Sequence, residues 1–329
     1  CSTVQPPPGN PAVFSLYLSE LDLYRTANGT RRLAMQANYG YVIWDLTNPA
    51  RPVIAPNGVH DIHADPAYVM HGDGQNTVNA IQPSEDGQRL LVAYRDTHGT
   101  LAMTPSGNQF TFGGDFCPSW PSTGPGLAVL KNGARYIAFS FPKGALYVSD
   151  VTTLLSGQAA KVACSLPRTQ AANAPVTAAR GLQTLNANCR QYLVWSTFTS
   201  VVIGEVTLLG GSPVTVTISW RTLTVTDLGY APGTMLSSAV AETHPQTGEL
   251  CVMVEGQGAG AASLGVNLVG VGASTTRIIG KWQPPAGSSV TPASALLAGE
   301  TTLLGLFWER DPAGALRRYG LSTGSWTRD

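Results

Sequence analysis

Residues 80–94 read AIQPSEDGQRLLVAY, which is a short apolar strand, a polar turn containing glycine, and a second strand of aliphatic and β-branched residues. This pattern returns along the chain at intervals of roughly fifty residues. A unit of this length holds about four strands and cannot bury both faces of its sheet alone, so the copies must stack on one another. The sequence therefore predicts an all-β fold, a single six-bladed β-propeller. The other copies are residues 21–37, 126–141, 181–196, 239–255 and 294–309.

The two ends of the chain are expected to meet in one blade. Residues 12–19 are strand-like and precede the first copy, whereas the last copy has little room for an outer strand. We expect the N-terminal strand to complete the last blade and close the ring. The predicted division is a Pro-rich tether at residues 1–11 and a propeller at residues 12–329. A seven-bladed propeller remains an alternative, because residues 167–180 and the long fourth repeat leave room for an extra strand pair.

The composition limits the classes of partner. Charged residues make up only 12% of the chain, about half the usual share, and 20 basic side chains balance 20 acidic ones. Such a balanced surface lacks the basic footprint of a nucleic-acid-binding protein. No apolar run reaches the ~18 residues that a membrane helix needs. We expect an extracytoplasmic protein with a protein or glycan partner at the cell surface.

The cysteines predict an anchor and two bridges. Cys1 followed by STVQPPPGNP resembles the mature start of a bacterial lipoprotein with a lipidated cysteine, although other cleavages also expose a Cys. The other four show no zinc-binding spacing. The blade topology favours the pairs Cys117–Cys164 and Cys189–Cys251, with four buried free thiols as the alternative.

Two motifs carry a resemblance to a known class of repeat. The phrase VIWDLTNPARPVIA at residues 42–55 and the phrase SEDGQRLLVAY at residues 84–94 resemble the LVIVD- or YVTN-like repeats of bacterial surface and secreted β-propellers. These motifs cover about a third of the chain. The resemblance implies an architecture and no particular activity.

The connections between blades and the turns after each second strand are expected to surround the mouth of a central channel. Loops on a rigid scaffold are where function concentrates, so this face is the predicted ligand site. The residues predicted to line it are Tyr39, Arg95, His98, Lys143, Glu255, Glu309 and Arg310.

One connection, residues 59–76, holds three of the five histidines of the chain. Imidazole and carboxylate groups can bind a divalent metal such as Ca or Zn, or exchange protons. The alternative is a polar, hydrogen-bonded loop without a ligand, since the spacing matches no zinc signature. The candidate metal ligands are His60, His63, Asp65 and His71.

The sequence favours a non-enzymatic binding module or a subunit of a surface assembly, because the chain contains no GxSxG, SxxK, P-loop or dinucleotide motif. The first alternative is a metal-dependent, lactonase- or esterase-like hydrolase with its site at the channel mouth. The second alternative is a structural component of a filament or virion. No catalytic residue and no cofactor is predicted beyond the candidate metal.

Overall fold

The structure is a computed structural model, and it describes residues 2–4, 21–26, 28–37, 40–48, 51–61, 78–83, 90–94, 100–106, 109–117, 127–140, 145–152, 168–175, 180–244, 247–259, 263–282, 290–297, 302–310 and 316–325. Within these residues, strands β1 to β24 form six four-stranded antiparallel sheets.

The first three sheets each take four consecutive strands. Sheet one contains β2 (Leu21–Arg25), β3 (Arg31–Ala37), β4 (Gly40–Asp45) and β5 (Val53–Asp61). Sheet two contains β6 (Val78–Pro83), β7 (Leu90–Tyr94), β8 (Thr100–Ser106) and β9 (Gln109–Cys117). Sheet three contains β10 (Leu127–Asn132), β11 (Arg135–Ser140), β12 (Tyr147–Asp150) and β13 (Arg168–Gln170).

The last three sheets continue in chain order, except that the final one also takes the N-terminal strand. Sheet four contains β14 (Arg180–Ala187), β15 (Arg190–Ser196), β16 (Ser200–Gly210) and β17 (Thr215–Thr224). Sheet five contains β18 (Met235–Thr243), β19 (Leu250–Gln257), β20 (Ser263–Val271) and β21 (Thr276–Trp282). Sheet six contains β22 (Val290–Leu297), β23 (Thr302–Arg310), β24 (Leu316–Ser325) and β1 (Ser2–Val4).

The first strands of successive sheets contact one another, in the order β2, β6, β10, β14, β18 and β22. Each predicted repeat coincides with the first two strands of a sheet, so the repeated pattern marks the inner half of each one. This is the arrangement of a propeller, and the prediction of an all-β propeller is confirmed. We call the side that carries the sheet-to-sheet connections and the turns after each second strand the mouth face.

The core consists of apolar layers between neighbouring sheets. Phe139 of sheet three and Trp195 of sheet four are fully buried in one such layer. The ring of Trp220 packs edge-on against Trp195, with 5.1 Å between ring centroids. A Cβ atom on Gly204 would lie only 2.5 Å from the Trp220 ring, so the absence of a side chain there lets the tryptophan pack.

The Asp-x-Thr ending of the third strand has a structural function. Asp45 in sheet one accepts a hydrogen bond of 2.7 Å from the amide of Thr47 and pairs with Arg32 on the neighbouring strand. Asp150 in sheet three accepts a hydrogen bond of 2.9 Å from the amide of Thr152 and pairs with Arg135 of β11. In both sheets, therefore, this motif ends the strand and ties it to its neighbour.

These contacts also set the charge state of the two carboxyl groups. Burial alone would raise the pKa of Asp45 and of Asp150. The hydrogen bonds from the threonine two residues later, and the neighbouring arginine, outweigh burial and hold each pKa below its ordinary value. Both groups are therefore stabilised as carboxylates.

The N-terminal strand that joins the last sheet is not the one predicted. Ser2–Val4 pairs antiparallel with Tyr319–Leu321 of β24, with Thr3 opposite Gly320. The stretch predicted to be a tether, residues 1–11, thus contains a strand of sheet six. The predicted strand at residues 12–19 lies outside the described residues. Edge pairing depends on backbone hydrogen bonds, which a short polar segment supplies as well as an apolar one.

Candidate functional site

Glu255 is the one predicted mouth-face residue whose side chain the structure describes. It lies near the end of β19 and is only 2% exposed. The pairing of β19 shifts register beside it on both flanks, between Leu236 and Ser238 on β18 and between Glu255 and Gln257 towards β20. Such bulges redirect side chains at the end of a strand. Glu255 is therefore a buried carboxyl group at the mouth face, next to two irregularities in strand pairing.

The direction of Glu255 follows from strand alternation. Leu250, Val252 and Val254 all belong to the apolar layer between sheets four and five. Since successive side chains on a strand point to opposite faces, Glu255 points to the side of sheet six. The strands β19 and β22 contact each other on that side. The carboxyl group thus lies between two sheets rather than on the outer surface.

Tyr230 is the main anchor of the connection between sheets four and five. The single proton of its hydroxyl is shared between the carbonyl oxygens of Val254 at 2.7 Å and Gly265 at 3.0 Å, and the hydroxyl oxygen accepts from the amide of Asn267 at 3.2 Å. A Cβ atom on Gly256 would lie 2.5 Å from the Tyr230 ring. The ring therefore occupies a slot that exists because residue 256 has no side chain.

The environment of Tyr230 also affects its ionisation. Burial raises the pKa of the Tyr230 phenol above its ordinary value, and the nearby Glu255 carboxyl raises it further. The hydrogen bonds from neighbouring backbone amides act in the opposite direction but do not cancel this shift. Tyr230 stays a neutral hydrogen-bonding group, which fits a structural rather than an acid–base function.

The turn between β15 and β16 is closed by Thr197. Its Oγ1 accepts hydrogen bonds from the amides of Thr199 at 3.1 Å and Ser200 at 3.0 Å. The carbonyl oxygen of Phe198 in the same turn accepts a hydrogen bond of 2.8 Å from the amide of Leu236 at the start of β18. This bond joins sheets four and five directly at the mouth face.

Three large apolar side chains are exposed along this part of the mouth face, and sequence reasoning did not identify them. Phe198 is 38% exposed, Met235 48% and Leu264 42%. Met235 pairs with Gln257, which pairs in turn with Ser263, the neighbour of Leu264. We call these three residues the mouth patch. The signal that could have found them is an apolar residue beside a turn, where a polar one is usual.

The remaining predicted mouth-face residues are described only in part or not at all. Glu309 and Arg310 lie at the end of β23, where Glu309 pairs with Val290 and Arg318 and Arg310 pairs with Leu316. This is the mouth end of sheet six, and the predicted part of both residues in a ligand site stays a prediction. Outside the described residues lie Tyr39, Arg95, His98 and Lys143.

The predicted metal loop begins as a strand. Residues 59–61 belong to β5, where His60 pairs with Tyr41. His63, Asp65 and His71 lie outside the described residues. Among the side chains that the structure describes, no three of the His, Cys, Asp and Glu residues come close enough to hold a metal ion. The metal site therefore stays a prediction.

The predicted bridge between Cys189 and Cys251 is wrong, because both residues are free cysteines. Cys189 is exposed in the turn between β14 and β15, with a φ of 59°, whereas Cys251 is fully buried within β19. Burial raises the pKa of the Cys251 thiol to about 12. Placing both cysteines towards the same end did not bring their sulfur atoms together, since one faces solvent and the other faces the core.

The other cysteine predictions were not tested. Cys117 is the last residue of β9, where its backbone pairs with Thr100, rather than part of a connection. Cys164 and Cys1 lie outside the described residues, so the bridge Cys117–Cys164 and the lipidation of Cys1 stay predictions. Over the parts of the chain that the structure describes, no helix has the length and apolar character required to cross a membrane.

Comparison with known proteins supports the fold. No protein-family model and no curated protein sequence matches this chain. A crystal structure of a protein of unknown function from Dyadobacter fermentans superposes with a TM-score of 0.54 at 11% identity, covering 94% of each chain. The periplasmic gluconolactonase of Pseudomonas aeruginosa superposes with a TM-score of 0.51 at 11% identity, covering 93% of this chain and 87% of that protein. At such low identity, these similarities show a shared propeller architecture and nothing further.

Proposed function

We propose that this chain is a non-enzymatic, extracytoplasmic binding module, built as one closed six-bladed ring, that docks its partner on the mouth face. The observation that carries the proposal is that three large apolar side chains, Phe198, Met235 and Leu264, are exposed at the mouth end of sheets four and five. Surface apolar residues are usually scattered, and those grouped on one face mark binding sites. The periplasmic location of the gluconolactonase from P. aeruginosa agrees with an extracytoplasmic setting.

The polar groups around the patch support binding rather than catalysis. The hydroxyls of Thr197 and Tyr230 already bond to backbone groups that hold the turn and the connection in place. Although the Glu255 carboxyl is near Tyr230, the phenol bonds to backbone groups and has a raised pKa, so it stays neutral. The scaffold is therefore organised to hold a surface in shape.

A metal-dependent lactonase- or esterase-like hydrolase is the second candidate. Glu255 favours it, since a buried carboxyl group at the mouth end of a propeller could contribute to a metal site. Among the described side chains, however, no further His, Cys, Asp or Glu residues gather with it into a group that could hold a metal ion. The hydrolase therefore depends on ligands beyond those described, such as the loop after His60.

Metal content and hydrolysis of lactones and esters would separate the two functions. We expect the purified protein to hold no stoichiometric divalent metal and to show no chelator-sensitive turnover. Glu255→Gln should then leave the background rate unchanged, like its control Glu249→Gln, which alters a carboxyl group at the opposite end of sheet five that pairs with Arg277. Stoichiometric metal, with turnover lost in Glu255→Gln and kept in the control, would show a hydrolase instead. Filaments formed on purification would indicate a structural subunit.

A further inference from the structure

We propose that this chain forms a two-fold symmetric dimer, in which the outer strand of sheet four pairs antiparallel with the same strand of a second copy. That strand is β17, Thr215–Thr224. The interface lies on the outer edge of the sheet and is separate from the mouth face, so the inference does not depend on the proposed binding function.

The strand β17 is an open sheet edge. It is the last strand of its sheet, and within the described residues β16 is its only neighbour there. The pairing with β16 is regular from Val216 to Thr224 and shifts register only at the start. A strand in this position directs backbone N–H and C=O groups outward, where they can pair with another strand.

The other outer strands that the structure describes are protected against such pairing. Proteins protect sheet edges with short strands, charged side chains, proline or bulges. The outer strands of sheets three and six have only three residues each. The strand β21 carries Arg277 and Lys281, β5 contains Pro56, and the register of β9 shifts against β8. With ten residues, β17 is the longest outer strand and is regular along most of its length.

The charged side chains near β17 are engaged within the ring. Arg221 is the only charged residue of the strand, and its guanidinium donates at 2.6 Å to the backbone of the turn between β20 and β21. Glu205 on β16 is ion-paired with Arg190, and Asp227 accepts from the amide and hydroxyl of the last residue of β17. Arg135 of sheet three reaches the turn before β17 and is also ion-paired. The exposed edge is therefore formed by uncharged residues.

The side chains of β17 match those of a second, antiparallel copy. Val216, Ile218 and Trp220 are only partly buried against the apolar layer between sheets three and four. A two-fold axis at Ile218 places Val216 opposite Trp220 of the second copy and brings the two Ile218 residues together. On the other face, it places the exposed Thr217 opposite the exposed Ser219. Pairs of aromatic with β-branched residues, and of hydroxyl with hydroxyl residues, favour strand pairing.

The same register keeps like charges apart. Arg221 lies opposite Thr215 of the second copy, so six residues separate the two arginines along the strands, which is about 20 Å. This distance exceeds the Debye length of about 8 Å in physiological salt. A two-fold contact of this kind is closed and stops at two copies, unlike the contacts of a filament. Antiparallel pairing also directs the two mouth faces in opposite directions and leaves both accessible.

Sedimentation velocity of the full chain over a range of concentrations, together with hydrogen exchange read by peptide mass spectrometry, tests the dimer. We expect a reversible monomer–dimer equilibrium, with slower exchange in β17 as the concentration rises. Thr217→Lys should weaken dimerisation at least about tenfold, because the two lysines lie diagonally across the interface and like charges oppose pairing.

Thr207→Lys is the matched control. Thr207 is exposed and pairs with Thr217 from β16, so this variant adds the same charge one strand away from the edge. It should weaken dimerisation much less, and an unchanged circular dichroism spectrum shows that each variant keeps the fold. A chain that stays monomeric at every concentration would overturn the proposal, as would equal weakening by both variants. Protection of a different outer strand, or oligomers larger than a dimer, would also overturn it.

Discussion

Tyr230→Phe tests the anchor on which the mouth face depends. The substitution keeps the ring but removes the hydroxyl, whose proton is shared between the carbonyls of Val254 and Gly265 and whose oxygen accepts from the amide of Asn267. A lost hydrogen bond costs about 1 kcal/mol, and a buried amide left without an acceptor costs about 1–3 kcal/mol. We therefore expect the free energy of unfolding to fall by about 2–4 kcal/mol.

Urea unfolding, followed by circular dichroism and tryptophan fluorescence, measures this change. Tyr147→Phe is the control, because the recorded contact of Tyr147 is between its ring and the Arg168 guanidinium, 5.1 Å from the ring centroid. It should cost less than about 0.5 kcal/mol. If Tyr230→Phe matched this control, the hydroxyl would not anchor the connection.

Three other substitutions or treatments probe the fold. Gly204→Ala should destabilise the protein by about 1–3 kcal/mol in thermal unfolding, because its methyl group meets the Trp220 ring; an unchanged midpoint would contradict the packing described. In the native protein, a thiol-alkylating reagent should label Cys189 quickly and Cys251 only after unfolding, as peptide mass spectrometry would show; a disulfide-linked peptide containing both would refute their separation. Asp150 has a pKa held below its ordinary 3.8, so its contribution to stability is present above that pH and is lost as the pH falls through the lowered value. Asp150→Asn should flatten the pH dependence of stability below about pH 4, and an unchanged acid profile would show that the group is not stabilised as a carboxylate.

The sequence predicted the propeller class because the signal is local and repeated. Each copy joins two strands through a turn containing Gly or Asn, and the structure places a pair of strands at every one. The Asp-x-Thr motif was visible for the same reason, since Asp45 and Thr47 are two residues apart. Pairing between distant segments was harder to predict. Ser2–Val4 reaches sheet six through backbone hydrogen bonds, which leave no mark in the pattern of side chains.

The candidate functional site shows the same limit, because its contacts also join segments that are distant in the sequence. Glu255 was predicted as a mouth-face residue from its place at the end of a second strand, and the structure shows that it is buried there; its part in a ligand site stays a prediction. The turn that carries Cys189 does approach the turn before Cys251, since the Asn188 amide lies 3.0 Å from the Gly248 carbonyl oxygen. The disulfide prediction nevertheless failed, because Cys189 faces solvent whereas Cys251 is buried. Closeness along the fold does not fix the direction of a side chain, and a disulfide requires both.

By itself, the sequence determined an all-β repeat architecture, a surface of low and balanced charge, and the face on which function is expected. Strand period, turn residues and composition are short-range properties, and a single sequence displays them. Only the tertiary structure placed Phe198, Met235 and Leu264 at the mouth end of sheets four and five with their side chains exposed, because they come from three separate segments of the chain. Their placement depends on inter-strand register and on the Tyr230 anchor, which are set by long-range contacts and packing rather than by any local pattern.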